Sequence, residues 1–101
     1  MKLHIKIDEG RIEAFCQKWH IKELSLFGSA LREDFSAESD VDVLVDFASD
    51  ADVSLDDWLD MIDELKVLFG REVDLIDKQG LRNPFRRHAI LTFREVLYAA
   101  G

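Results

Sequence analysis

The chain has 101 residues, 48% hydrophobic and 34% charged, with one cysteine and a formal charge of −8. That length allows a single domain over residues 1–101, and the composition is that of a globular chain. A chain this acidic is a poor non-specific DNA binder, its apolar runs are too short to span a membrane, and Cys16 alone can form neither an internal disulfide nor a cysteine metal site. The N-terminus, Met1 to Ile7 followed by Asp8 and Glu9, lacks the apolar stretch of a secretory signal, so the expected compartment is the cytoplasm. A domain of this size buries only about two-thirds of the surface it would expose unfolded, so a partner, or a second copy in a homo-oligomer, would add stability.

Taken in chain order, the first predicted element is a helix over 9–20. Asp8 can cap it, and Ile12, Phe15, Cys16 and Trp19 form one apolar stripe. Residues 23–27 read as a short buried strand that ends at Gly28-Ser29. Ala30-Leu31-Arg32 can open a short helix, and 33–39 read as a polar loop. The clearest strand is 41–47, where Val41, Val43, Val45 and Phe47 alternate with Asp42, Leu44 and Asp46.

An acidic loop over 48–53 precedes a helix with Ser54 as cap, Asp57 at the third position and Val53 and Trp58 placed for a hydrophobic staple. The helix runs through Leu59, Ile62, Leu65 and Phe69 to a stop at Gly70. Residues 72–76 form the next strand. Asn83-Pro84 opens a helix through Thr92, with Asn as cap and Pro at the first position. Residues 95–98 either extend that helix or make a last strand, and the strand is favoured. The alternation implies an α/β (α+β) fold, a small mixed β-sheet with helices packed on it.

Charge is unevenly spread. Residues 79–101 carry Arg82, Arg86, Arg87 and Arg94 against Glu95, or +3, which leaves −11 on the rest. Such an acidic body with a basic end suits cation binding in one place and an acidic partner or polyanion in another, or it is a solvated helix face.

Two features carry chemistry. In Asp40-Val41-Asp42, residues two apart share a strand face with Cα atoms roughly 6.6 Å apart. Carboxylates so placed can hold a magnesium ion, which prefers oxygen ligands and keeps contacts to substrate phosphates. The alternative is a strand with one wet acidic face. In Gly28-Ser29, the glycine lets a phosphate approach the backbone and the hydroxyl adds a hydrogen bond. The alternative is a plain turn. Ten residues, Ala30 to Ser39, separate the two features.

A Gly-Ser turn, then an Asp-x-Asp pair, then a carboxylate on a later strand resembles the nucleotidyltransferase superfamily that includes DNA polymerase beta. Asp74, in Glu72-Val73-Asp74-Leu75-Ile76, fits the third position. The chain is similar over nearly its whole length to the minimal nucleotidyltransferases of prokaryotes, from Leu24-Ser25-Leu26-Phe27-Gly28-Ser29 through Ser39-Asp40-Val41-Asp42 to Val73-Asp74-Leu75, Arg82-Asn83-Pro84-Phe85 and Val96-Leu97-Tyr98.

That resemblance implies a polymerase beta-like fold and a magnesium-dependent enzyme using ATP, with two ions. Asp40, Asp42 and Asp74 would be the catalytic metal ligands, and Asp74 would help deprotonate the attacking hydroxyl. Gly28 and Ser29 would hold the β- and γ-phosphates. Arg32 is either a phosphate contact or a surface arginine. In the family, such domains often pair with a HEPN-domain ribonuclease toxin and neutralise it by transferring AMP to a tyrosine, so the implied partner is a HEPN-domain toxin. The segment Arg82 to Arg94 could dock it. Two other readings stand beside this one: an antitoxin that masks its toxin by contact alone, and a transferase acting on a small molecule.

The remaining residues point to packing. His4, His20 and His88 match no metal spacing, Cys16, Trp19 and Trp58 belong to the core, and Asp46 is expected to be a solvated carboxylate.

Overall fold

The computed structural model describes residues 7–28 and 40–100. Ser29, Arg32, the short helix expected at 30–32 and the loop expected at 33–39 lie outside them.

Helix α1 (Glu9–Lys18) starts where Asp8 accepts a hydrogen bond from the Arg11 N–H at 3.1 Å. It ends two residues earlier than the sequence suggests. Trp19 leaves helical geometry and His20 takes a left-handed φ of 55°, which turns the chain sharply into the sheet. Strand β1 (Ile21–Phe27) therefore begins earlier too, with Ile21 paired to Phe47 across a register shift.

Strand β2 (Val41–Phe47) has the expected bounds. Helix α2 (Leu55–Phe69) opens on a reciprocal capping box between Ser54 and Asp57, an arrangement worth about 1 kcal/mol. It closes at Gly70, whose φ of 66° suits a residue without a Cβ. Strand β3 (Val73–Asp77) leads into an unexpected short 3-10 turn, Lys78–Gly80, capped by Asp77 through the Gln79 N–H. Helix α3 (Pro84–Thr92) has Asn83 as its cap, and strand β4 (Glu95–Ala99) settles the C-terminal alternative in favour of a strand.

Among the described residues, the four strands lie in the order β3-β2-β1-β4, with β2 and β3 parallel and the other neighbours antiparallel. This is the mixed sheet that alternating helices and strands imply. Because strand side chains alternate, the sheet has two differently covered faces. On one, Leu24 and Leu26 of β1, Val41, Val43 and Val45 of β2 and Leu75 of β3 meet Ile12, Phe15 and Cys16 of α1 and Met61 and Leu65 of α2. Trp19 and Trp58 pack against this core as expected. Truncating a fully buried member such as Leu24 to Ala should cost about 2–5 kcal/mol. Helix α1 lies against β1 and β4, and α2 against β3. The other face carries a smaller cluster of Phe27, Leu44, Leu81 and Ile90, so α3 covers only part of it. Among the described residues, no helix is long and apolar enough to cross a membrane.

Candidate active site

Three strand ends meet at one end of the second face. β1 ends at Phe27, β2 begins just after Asp40, and β3 begins at Val73. The antiparallel register sets Phe27 opposite Asp42, and the parallel register sets Asp42 beside Asp74. The Val41 N–H donates to the Glu72 carbonyl at 2.9 Å, which ties the entries of β2 and β3 together. Asp42 and Asp74 are therefore cross-strand neighbours although 32 positions separate them in the chain.

Asp40 and Asp74 are exposed and Asp42 is half-buried. Asp40, Asp42 and Asp74 thus lie along one open edge of the sheet. Among the described residues, no three His, Cys, Asp or Glu side chains close around a common point. The donors at this edge are carboxylate oxygens, which suit a hard divalent cation.

Gly28 is the second component. Its φ of 66° lies in the left-handed region. A Cβ built there would sit 3.2 Å from the Asp42 carboxyl carbon and collide with its Oδ2. The turn and the carboxylate thus occupy adjoining space, which only glycine leaves open. The sequence identified Gly28 and Asp42 as separate motifs, and the strand register brings them into contact.

One expectation is corrected. Asp46 was expected to be solvated, yet it is only 7% exposed. Its Oδ1 accepts a hydrogen bond from Gln79 Nε2 at 3.2 Å, and its Oδ2 stands 3.6 Å from Lys78 Nζ. The reason is tertiary: the 3-10 turn after β3 folds over this end of β2. Register also pairs Asp46 with Glu23 of β1, whose Oε1 is held at 3.0 Å by the Arg94 guanidinium. Arg94 donates as well to the Leu91 carbonyl at 2.9 Å, and Arg87 to the Lys78 carbonyl at 3.1 Å. Reading along the sequence missed this network. Its one visible signal was Glu23, a charge opening an apolar strand.

Burial alone pushes the Cys16 pKa up to about 12, so it stays a neutral core side chain. Nδ1 of His20 lies 3.6 Å from Asp50 on the surface, and His88 is exposed; neither joins the carboxylate edge.

Residues 10–97 match the family described as the nucleotidyltransferase domain. The chain belongs to that family. It is 36% identical over 73 residues to a candidate protein adenylyltransferase of Methanocaldococcus jannaschii, covering 72% of this chain and 73% of that one. It is 33% identical over 82 residues to the protein adenylyltransferase MntA of Thermococcus cleftensis, covering 81% and 78%. Among solved structures, a toxin–antitoxin with AMP-PNP superposes with a TM-score of 0.72 at 19% identity, covering 93% of this chain and 75% of that one. A tri-AMPylated Shewanella oneidensis HEPN toxin in complex with its MNT antitoxin gives 0.64 at 18%, covering 91% and 70%. At those identities the likeness is one of fold. The chain is thus a nucleotidyltransferase, and its acidic edge and glycine turn lie within the matched region.

Proposed function

We propose that the chain transfers AMP from ATP to a hydroxyl, a tyrosine in our reading, of a HEPN-domain ribonuclease toxin, and so acts as its antitoxin in the cytoplasm. The observation that carries this reading is the contact of Gly28 with Asp42 beside Asp74. Kinship to protein adenylyltransferases supports a protein acceptor.

In this reading Asp40 and Asp42 would hold magnesium, and Asp74 would help to hold a second ion. When bound, such ions neutralise phosphate charge and polarise the entering and leaving oxygens. Gly28 and Ser29 receive the β- and γ-phosphates, with Arg32 as a further phosphate contact. The acceptor hydroxyl attacks the α-phosphorus and its proton passes to Asp74. A new P–O bond forms as the α–β bridge breaks, and pyrophosphate leaves past Gly28. The chain's share is positioning and charge, the usual protein contribution in phosphoryl transfer.

The test is transfer of α-labelled ATP, in magnesium, to a purified HEPN-domain toxin from the same genome. Wild type should label the toxin and the Asp40→Asn/Asp42→Asn variant should not. A tight unlabelled complex with wild type would replace this reading with neutralisation by contact.

A further inference from the structure

The two faces of the sheet differ in what can reach the carboxylate edge. Val41, Val43 and Val45 of β2 and Leu75 of β3 point into the core that α1 and α2 close. Strand alternation sends Asp42 and Asp74 to the other face, with Leu44 and Ile76, which belong to the smaller cluster there. A protein acceptor reaches Asp74 from this second face, because the first is filled by buried side chains.

Helix α3 stands on the same face as the carboxylates. Its Ile90 joins Phe27 and Leu44 in the smaller cluster, and Phe27 is the register partner of Asp42. The helix starts beyond the 3-10 turn that follows β3, at the end of the sheet away from Asp74. It then runs roughly 14 Å in nine residues back towards the active end. There β4 opens with Glu95 opposite Leu26, two residues before Gly28.

The segment is basic within an acidic chain. Residues 78–94 hold Lys78, Arg82, Arg86, Arg87 and Arg94 and no acidic residue, or +5, which leaves −13 on the rest. Lys78 and Arg94 are matched by Asp46 and Glu23, and Arg87 donates to the Lys78 carbonyl. Arg82 and Arg86 are exposed, and neither forms a salt bridge among the described residues. Phe85, 85% exposed, stands between them in the chain, and Phe93, 62% exposed, follows the helix at the active end.

We infer that the acceptor protein docks on the outer side of α3, through an acidic surface with an apolar hollow for Phe85, and from there presents its hydroxyl to Asp42 and Asp74. This rests on the transfer reading above, which makes the acceptor a protein. Exposed guanidinium groups without internal partners select carboxylates, and arginine and aromatic side chains are the usual anchors of a protein contact. A nucleic acid is disfavoured, because Asp40, Asp42 and Asp74 lie at the edge of the same face and the rest of the chain is strongly acidic. A second copy is disfavoured too, since its own α3 would repel this one in a symmetric pair.

The experiment measures labelling of a purified HEPN-domain toxin from the same genome, its binding by calorimetry, and magnesium–ATP affinity. Arg82→Glu/Arg86→Glu, and separately Phe85→Ala, should each raise the acceptor KM and the toxin Kd about tenfold or more. Magnesium–ATP affinity should stay unchanged, which also reports an intact fold. Leu55→Asp/Leu59→Asp, on the helix that covers the first face, should leave all three unchanged. Labelling by wild type with an unchanged KM in both α3 variants would overturn the docking proposal and leave the transfer reading intact. A toxin complex without labelling, weakened tenfold by the α3 variants, would overturn the transfer reading and keep the surface. Loss of single-stranded RNA binding, or of self-association, in the α3 variants with toxin labelling unaffected would assign the surface to that occupant and overturn the proposal.

Discussion

One face of the sheet carries acidic residues at both of its ends, and the two ends are built differently. At the far end, Glu23 and Asp46 are register partners, and each is matched by a cation of the chain itself, Arg94 and Lys78. At the near end, Asp42 and Asp74 are register partners too, but Asp74 is exposed, Asp40 beside them is exposed, and Gly28 leaves space against the Asp42 carboxylate. The far pair is a strut joining the 3-10 turn and the end of α3 to the sheet. In the near pair Asp74 is exposed, and Asp42 is half-buried beside the glycine turn. A buried carboxylate needs its partner for the fold to hold, whereas an exposed one at a strand end costs little to keep.

This contrast makes its strongest claim at Asp42. Asp42→Asn should reduce transfer by about 10²–10³-fold, comparable to losing one preorganised transition-state contact. A labelling rate within a fewfold of wild type would erase the distinction between the ends.

Gly28→Ala should come next. Its Cβ would displace the Asp42 carboxylate, and the left-handed backbone adds about 1–2 kcal/mol of strain. Magnesium–ATP affinity should fall more than the melting temperature suggests. A purely proportional loss would reduce Gly28 to a turn residue.

The far end should behave in the opposite way. Asp46→Ala leaves Lys78 and Gln79 without their partner, at a cost of about 1–3 kcal/mol in chemical denaturation, with magnesium–ATP affinity unchanged. Lost nucleotide binding at full stability would mean that both ends serve the nucleotide.

The smallest effect concerns the shared core. The Cys16 pKa is raised from 9.0 to about 12 by burial, so its contribution is complete below pH 9 and is lost as pH climbs towards about 12. Wild type should therefore lose more stability between pH 8 and pH 11 than Cys16→Ala does. Equal slopes would place the thiol in contact with water.

Local chemistry made much of the fold legible. Ser54 with Asp57, Asn83 before Pro84 and Gly70 each act within one turn of chain, so the ends of α2 and the start of α3 follow from neighbours. The alternation of Val41, Val43 and Val45 likewise fixed β2. The end of α1 is not legible locally because Trp19 continues an apolar stripe, and only pairing of Ile21 with Phe47 ends the helix earlier. Residues 95–98 stayed ambiguous for the same reason, since pairing with β1 decides them.

For the site, the sequence alone determined the ingredients: a glycine turn, an Asp-x-Asp pair and a later carboxylate on an alternating strand. Its spacing carries chemistry because residues two apart on a strand share a face regardless of context. Only the tertiary structure decided that Asp42 lies between Phe27 and Asp74, that Gly28 touches its carboxylate, and that Asp46 is buried rather than wet. Register and cover depend on which distant segments meet, and those meetings are set by burial of the whole core rather than by any local pattern.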